Sequence, residues 1–426
     1  MHQGTSEVIP EMKPEGTQQP HDATLEEQSG IQTPQAGRPD AAHATRSPAH
    51  RSGRRRRNAW FLLAVALLCM GIIVALSNIG APLQRQGNTA QPTTPPTPTA
   101  NVTPAPTARV FVRAAQARLY PFPQANVGLM QPTTDARGNV WVGEMFANRL
   151  AWLNSHTGVV TTWEPPNGKN GLMSTAIDAH GNIWFVEQDA NYIGRFDPMQ
   201  HVFRTFPLGA VNGRLLGPQD IQFDTTGRLW FTAPAGGRIG RFDPETGTIQ
   251  TWAVPAPRPG TAPAPFSLTV TPDTQVWFGY ITGGAVGHFD PVTGHVTLYH
   301  LADANAQLFS MAHDAHGRIW FSEITSGKFG MVDSTTGRVT ELPVPTVAGQ
   351  SAALYGLVVA KNGAVWFANN TANALVRYSP NQASFTFFQL PRSTGGLYGL
   401  TLDATGNLWF TLSGSSTNAV GSMRPS

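Results

Sequence analysis

The feature that most constrains this chain is a tryptophan that returns seven times at nearly constant spacing. Trp141, Trp184, Trp230, Trp277, Trp320, Trp366 and Trp409 lie 43, 46, 47, 43, 46 and 43 residues apart, and six of the seven are followed directly by Phe. A period of about 40–50 residues with a Trp-bearing strand marks a propeller, one four-stranded blade per repeat. Composition agrees: 13% of the chain is charged, and 43 Gly with 35 Pro favour short strands joined by turns over a helical bundle or coiled coil.

Each repeat carries its own punctuation. Before the Trp stands a turn: Asp135-Ala-Arg-Gly138, Asp178-Ala-His-Gly181, Asp224-Thr-Thr-Gly227, Asp314-Ala-His-Gly317 and Asp403-Ala-Thr-Gly406. The Asp side chain caps such a turn and Gly accepts positive φ, so it joins the first and second strands as a hairpin. A third strand follows, as in Ile193-Gly-Arg-Phe-Asp-Pro198 and Ile239-Gly-Arg-Phe-Asp-Pro244, then a Thr-Gly turn and an alternating fourth strand. The last repeat stops after its third strand at 419–423, while residues 118–122 form an orphan strand ahead of the first repeat. The two ends are expected to close one ring, which removes exposed strand edges. The fold class is therefore all-β: a seven-bladed propeller of four-stranded blades closed by an N-terminal strand, preceded by one transmembrane helix and disordered segments.

Those preceding segments divide by composition. Residues 1–58 have almost no aromatic side chain and no apolar period, and read as a disordered cytoplasmic tail. Residues 59–76 are 18 in a row without a charge. At about 1.5 Å per residue that run just crosses a hydrocarbon core of about 30 Å, which gives a transmembrane helix over 59–77. Arg54 to Arg57 abut one flank and no cation follows before Arg85, so the N-terminus is expected in the cytoplasm and the propeller outside. Residues 78–108 are a Pro/Thr-rich extracytoplasmic linker, and 109–426 the propeller. From residue 59 onward 21 Lys and Arg face 19 Asp and Glu, so the body gives no electrostatic case for nucleic acid. Cys69, the single cysteine, excludes an intrachain disulfide and a Cys-cluster metal site.

The wording Asp-x-x-Gly-x-[IVL]-Trp-Phe-x-Glu, Ile-Gly-Arg-Phe-Asp-Pro, Thr-Gly-x-[IV] resembles the streptogramin B lyase (virginiamycin B lyase) family over about residues 117–426. The resemblance implies a seven-bladed propeller and an elimination that linearises a cyclic depsipeptide at an ester bond without water. It implies Mg²⁺ held by Glu side chains and a His base. In the family pattern that His stands 11 residues before the blade Trp, one metal-binding Glu two residues earlier still, and another three after the Trp.

In this chain the position 11 before each Trp is Met130, Met173, Gln219, Phe266, Phe309, Tyr355 and Tyr398, none of them His. Two residues earlier stand Gly128, Gly171, Gly217, Ala264, Gln307, Ala353 and Gly396, none acidic. Three after the Trp come Glu144, Glu187, Ala233, Tyr280, Glu323, Asn369 and Leu412. Glu144, Glu187 and Glu323 are the metal candidates, and Mg²⁺ enters only with the lyase chemistry. Counted from the turn, the two columns are cross-strand neighbours at one mouth of the channel. A ligand there would meet Glu144, Glu187, Glu323, Tyr280, Asn369, Gln219, Phe266, Phe309, Tyr355 and Tyr398. The aromatic members form either an apolar plug or the wall of a site for an apolar or peptide-like ligand. His288, His300 and His313 are the remaining places from which a base could be recruited.

Two functions are thus expected of different kinds. One is a membrane-anchored binding module for a small-molecule or peptide-like ligand, or for a cell-surface protein. The other is a Mg²⁺-dependent streptogramin lyase or a related propeller hydrolase or lactonase.

Overall fold

A computed structural model describes residues 108–166, 171–347, 349, 351–391, 396–414 and 418–425. They form seven antiparallel four-stranded sheets set as blades around an axis, six of them built from consecutive strands and one of those six extended by a fifth strand. The strands nearest the axis are Thr133–Thr134, Leu172–Ile177, Ile221–Phe223, Pro265–Val270, Leu308–His313, Leu354–Val359 and Leu397–Leu402. In the second blade Leu172–Ile177 is followed outward by Ile183–Glu187, Tyr192–Asp197 and Val202–Pro207. The other blades repeat that order.

The ring closes as the sequence predicts. A strand β2 (Ala117–Pro121) pairs antiparallel with Asn418–Met423 and supplies the missing fourth strand of the last blade. One strand was not foreseen: β1 (Arg109–Ala114) adds to the sixth blade as a fifth, parallel strand on Ser384–Gln389. Every residue of β1 is exposed. The expected span at 59–77, the tail at 1–58 and all but the last residue of the 78–108 linker lie outside the described residues. No helix among the described residues is long and apolar enough to cross a membrane.

The repeat residues explain the packing. Each blade Trp is 1–4% exposed. Trp141 meets Phe196 at 6.0 Å, Trp184 meets Phe242 at 5.5 Å and Trp230 meets Phe289 at 5.9 Å, each partner lying on the third strand of the next blade. The capping Asp has a second task that the motif did not reveal. Asp178, Asp224, Asp314 and Asp403 accept the indole N–H of Trp184, Trp230, Trp320 and Trp409 at 2.8–3.0 Å. Glycine in Ile-Gly-Arg-Phe is also required by contact. A Cβ on Gly194, Gly240, Gly287, Gly330 or Gly421 would run into the Phe ring that follows the blade Trp.

Candidate functional site

The seven residues 11 before each Trp meet at the axis. Met130, Met173, Gln219, Phe266, Phe309, Tyr355 and Tyr398 are 4–8% exposed, and all but Gln219 belong to one continuous apolar cluster. Phe309 is the hub. Its ring centroid lies 5.4 Å from Phe266 and 5.0 Å from both Tyr355 and Tyr398, which are 5.3 Å from each other. Edge-to-face and tilted pairs at these separations are attractive beyond the area they bury. Gln219 accepts a hydrogen bond from Gln188 Nε2 at 2.9 Å. In the structure these rings pack on one another across the channel.

The column three after each Trp is placed differently from expectation. All seven members are at most 2% exposed. Their ladder partners are residues 12, not 11, before the Trp: Leu129 opposite Glu144, Leu172 opposite Glu187 and Leu308 opposite Glu323. The cause is an irregularity in the inner strand, where the register shifts between Leu172 and Thr175 and between Leu308 and Met311. Counting back from the turn assumes an unbroken ladder, and a one-residue shift reverses which side chains share a face. The glutamates are therefore buried and stand opposite Leu129, Leu172 and Leu308 rather than opposite the residues 11 before the Trp.

Each glutamate has its own surroundings. Burial raises the pKa of Glu144, and its ion pair with Arg149 works against that rise. Glu187 stands opposite Tyr192 in the ladder. Burial pushes its carboxyl up to about 7, opposed by the Tyr192 hydroxyl and assisted by the charge of Asp189. Burial also lifts Glu323 to about 7, although Ser326 donates a hydrogen bond to it. Tyr280 donates to the Pro255 carbonyl at 2.8 Å, and Asn369 accepts from the Ala372 N–H at 3.2 Å.

This set does not fit Mg²⁺. A hard divalent ion needs several oxygen ligands converging at about 2.1 Å. The three carboxylates belong to three separate blades, and none has a His or a second acid at the inner-strand positions. Among the described residues no group of three His, Cys, Asp or Glu converges on a metal. None of the three candidate histidines stands at the plug. His288 stacks on Trp277 at 4.2 Å, His300 ends the outermost strand of its blade, Val296–His300, and His313 lies at the opposite end of its inner strand from Phe309.

That opposite end holds a well the motifs did not reveal. Beyond the plug the inner strands enclose about 540 Å³, floored by Met130, Met173, Phe266, Phe309 and Tyr398. Floor residues are buried, whereas wall residues nearer the Asp-x-x-Gly turns, such as Thr133, Gln222, His313 and Thr401, are half-buried. The well thus opens toward those turns. Its polar belt comes from the position 10 before the Trp in four blades, where Gln131, Ser174, Asp220 and Ser310 line the well. Ser174 donates to Asp220 at 2.8 Å, and the Leu357 N–H donates to Ser310 at 3.1 Å, stitching neighbouring inner strands together. Polarity recurring in that column was the available signal, and it belongs to no part of the family wording.

The virginiamycin B lyase family model matches residues 102–350. No curated protein sequence matches the chain. Among solved structures, selenomethionine-substituted virginiamycin B lyase from Staphylococcus aureus is 23% identical with a TM-score of 0.64, over 73% of this chain and 99% of that one. A catalytically inactive histidine-to-alanine variant of the S. aureus lyase with quinupristin is 24% identical at the same TM-score, over 73% and 99%. A streptogramin B lyase is 26% identical, also at 0.64, over 72% and 97%. The family match spans more than half of the sequence, and the blade wording runs on through Trp409: this chain belongs to the virginiamycin B lyase family.

Proposed function

We propose that this protein is a membrane-anchored, extracytoplasmic propeller that binds a small-molecule or peptide-like ligand on its axis and does not linearise streptogramins. The observation that carries the reading is the plug. Where the family pattern has its histidine base, Met130, Met173, Phe266, Phe309, Tyr355 and Tyr398 pack in a continuous apolar cluster. A general base must come within hydrogen-bond reach of the proton it takes, and thioethers and phenyl rings take none. Tyr355 and Tyr398 could take a proton only as phenolates, a form a phenol adopts at about pH 10. The well beyond the plug supports binding, since concave apolar sites with a few convergent polar groups are where ligands sit. The span at 59–77, with Arg54–Arg57 on its N-terminal flank, supports presentation outside the cell. A cell-surface protein is the other partner that such presentation serves.

Chromatography of a streptogramin B antibiotic incubated with the full-length protein, with and without Mg²⁺, tests the reading. Elimination opens the ring without a change of mass, so retention must be followed alongside mass. The expected result is unchanged antibiotic. A Mg²⁺-dependent linear product that disappears in Glu144→Ala, Glu187→Ala or Glu323→Ala would overturn it and establish the lyase. Protease added outside intact cells is expected to remove the propeller, and its protection until lysis would overturn the assigned orientation.

A further inference from the structure

The well on the turn side has an electrostatic character that its shape alone does not disclose. Among the described residues lining it, Asp220 is the one carboxylate, and there is no Lys or Arg. The carboxylate is held in place by three neutral donors from three blades. Oδ1 accepts from Ser174 Oγ at 2.8 Å and from the Ile221 N–H at 2.9 Å, and Oδ2 accepts from the Leu268 N–H at 3.0 Å. Three donors and no acceptor around it are the environment of an ionised carboxylate. Burial works against those bonds and raises its pKa, and no Lys or Arg among the lining residues offsets that cost.

The other titratable group on the wall does not supply one. His313 Nδ1 lies 3.0 Å from Thr269 Oγ1, and burial lowers its pKa, keeping the imidazole neutral. Beneath stand the rings of Phe266, Phe309 and Tyr398, whose faces attract a cation through their quadrupoles. A concave site with one sign of charge and low-dielectric walls concentrates ions of the opposite sign.

We propose that the axial well binds a small organic cation: a protonated amine that pairs with Asp220 while its apolar body rests on the aromatic floor. The assignment rests on the reading of this protein as a binding propeller and deepens it by naming the ligand class. It concerns the turn side of the side chains that stand at the family's base position and form the well's floor, so turnover at the other mouth neither supports nor excludes it.

Three probes of one shape and different charge test it on the full-length protein: benzylammonium, benzyl alcohol and benzoate, followed by ligand-observed NMR. Benzylammonium is expected to bind about tenfold or more tightly than benzyl alcohol, and benzoate not at all. Asp220→Asn should bring the ammonium down to the alcohol. Thr401→Phe, which enlarges a half-buried wall residue, should weaken both neutral and cationic probes. This second variant keeps the test intact if Asp220→Asn does not fold. Equal binding of alcohol and ammonium would overturn the cation assignment while leaving the binding reading standing. Ammonium binding untouched by both substitutions, or absent up to about 10 mM, would overturn the site itself.

Discussion

Asp403 and Glu187 are both buried carboxyls, yet their surroundings give them opposite protonation behaviour. At Asp403 burial works to raise the pKa, but bonds from Thr405, Trp409 and Asn407 outweigh it and hold the carboxyl at about 2. An Asp whose folded pKa lies below its unfolded value of about 3.9 stabilises the fold above that pH, and the contribution fades as pH falls through about 2. Asp403→Asn should therefore cost about 2 kcal/mol at neutral pH, with the difference from the parent shrinking toward pH 2; equal melting shifts at pH 7 and pH 2.5 would contradict this. Glu187, raised to about 7, has the reverse sign. Its charged form is disfavoured in the fold, so stability is full below about pH 4.5 and is lost as pH rises through about 7. Glu187→Gln should raise the melting temperature at pH 8 by the equivalent of about 2–3 kcal/mol and leave it nearly unchanged at pH 4.5. A variant that melts lower than the parent at pH 8 would mean that Glu187 holds a counter-charge there.

Among the elements, what could be read ahead of the structure depended on whether a residue belongs to the repeat. The hairpin turns, the Gly of the third strand and the inter-blade Trp all recur at fixed offsets, so each blade and the closing strand were legible. Two features were not. The irregularity in the inner strand leaves no mark in spacing, because the turn-to-Trp distance is the same with or without it, and it is what separates the axis-facing plug from the buried glutamates. The strand β1 has no counterpart in any repeat: its residues Val110, Phe111 and Val112 are 43%, 47% and 59% exposed, so no buried face announces it. These elements differ in what they hold together. Gly240→Ala, pressing a methyl group into the Phe231 ring, should destabilise by about 1–3 kcal/mol. Removal of 109–123 takes away the fourth strand of the last blade and should abolish cooperative melting, whereas removal of 109–114 alone uncovers one blade edge and should leave a cooperative transition. Cooperative melting without residues 117–121 would show that the ring does not depend on its closure.

For the whole molecule, the axis is divided into two unlike ends. Toward the family's reactive positions it is filled by six apolar side chains and Gln219. Toward the Asp-x-x-Gly turns it opens as a well with Asp220 on its wall. Membership in the virginiamycin B lyase family was legible from the wording of the blades, but the use of the axis was not, because it is decided by columns the wording does not include. The most direct test places a reporter at each end. In the full-length protein with its single native cysteine removed (Cys69→Ser), Thr133→Cys reports on the well and Gln307→Cys on the plugged mouth. Maleimide labelling rates are then measured with and without benzylammonium. Benzylammonium is expected to slow labelling at Thr133→Cys and to leave Gln307→Cys unchanged. Slowing at Gln307→Cys, or at both positions alike, would contradict a functional axis that opens only toward the turns.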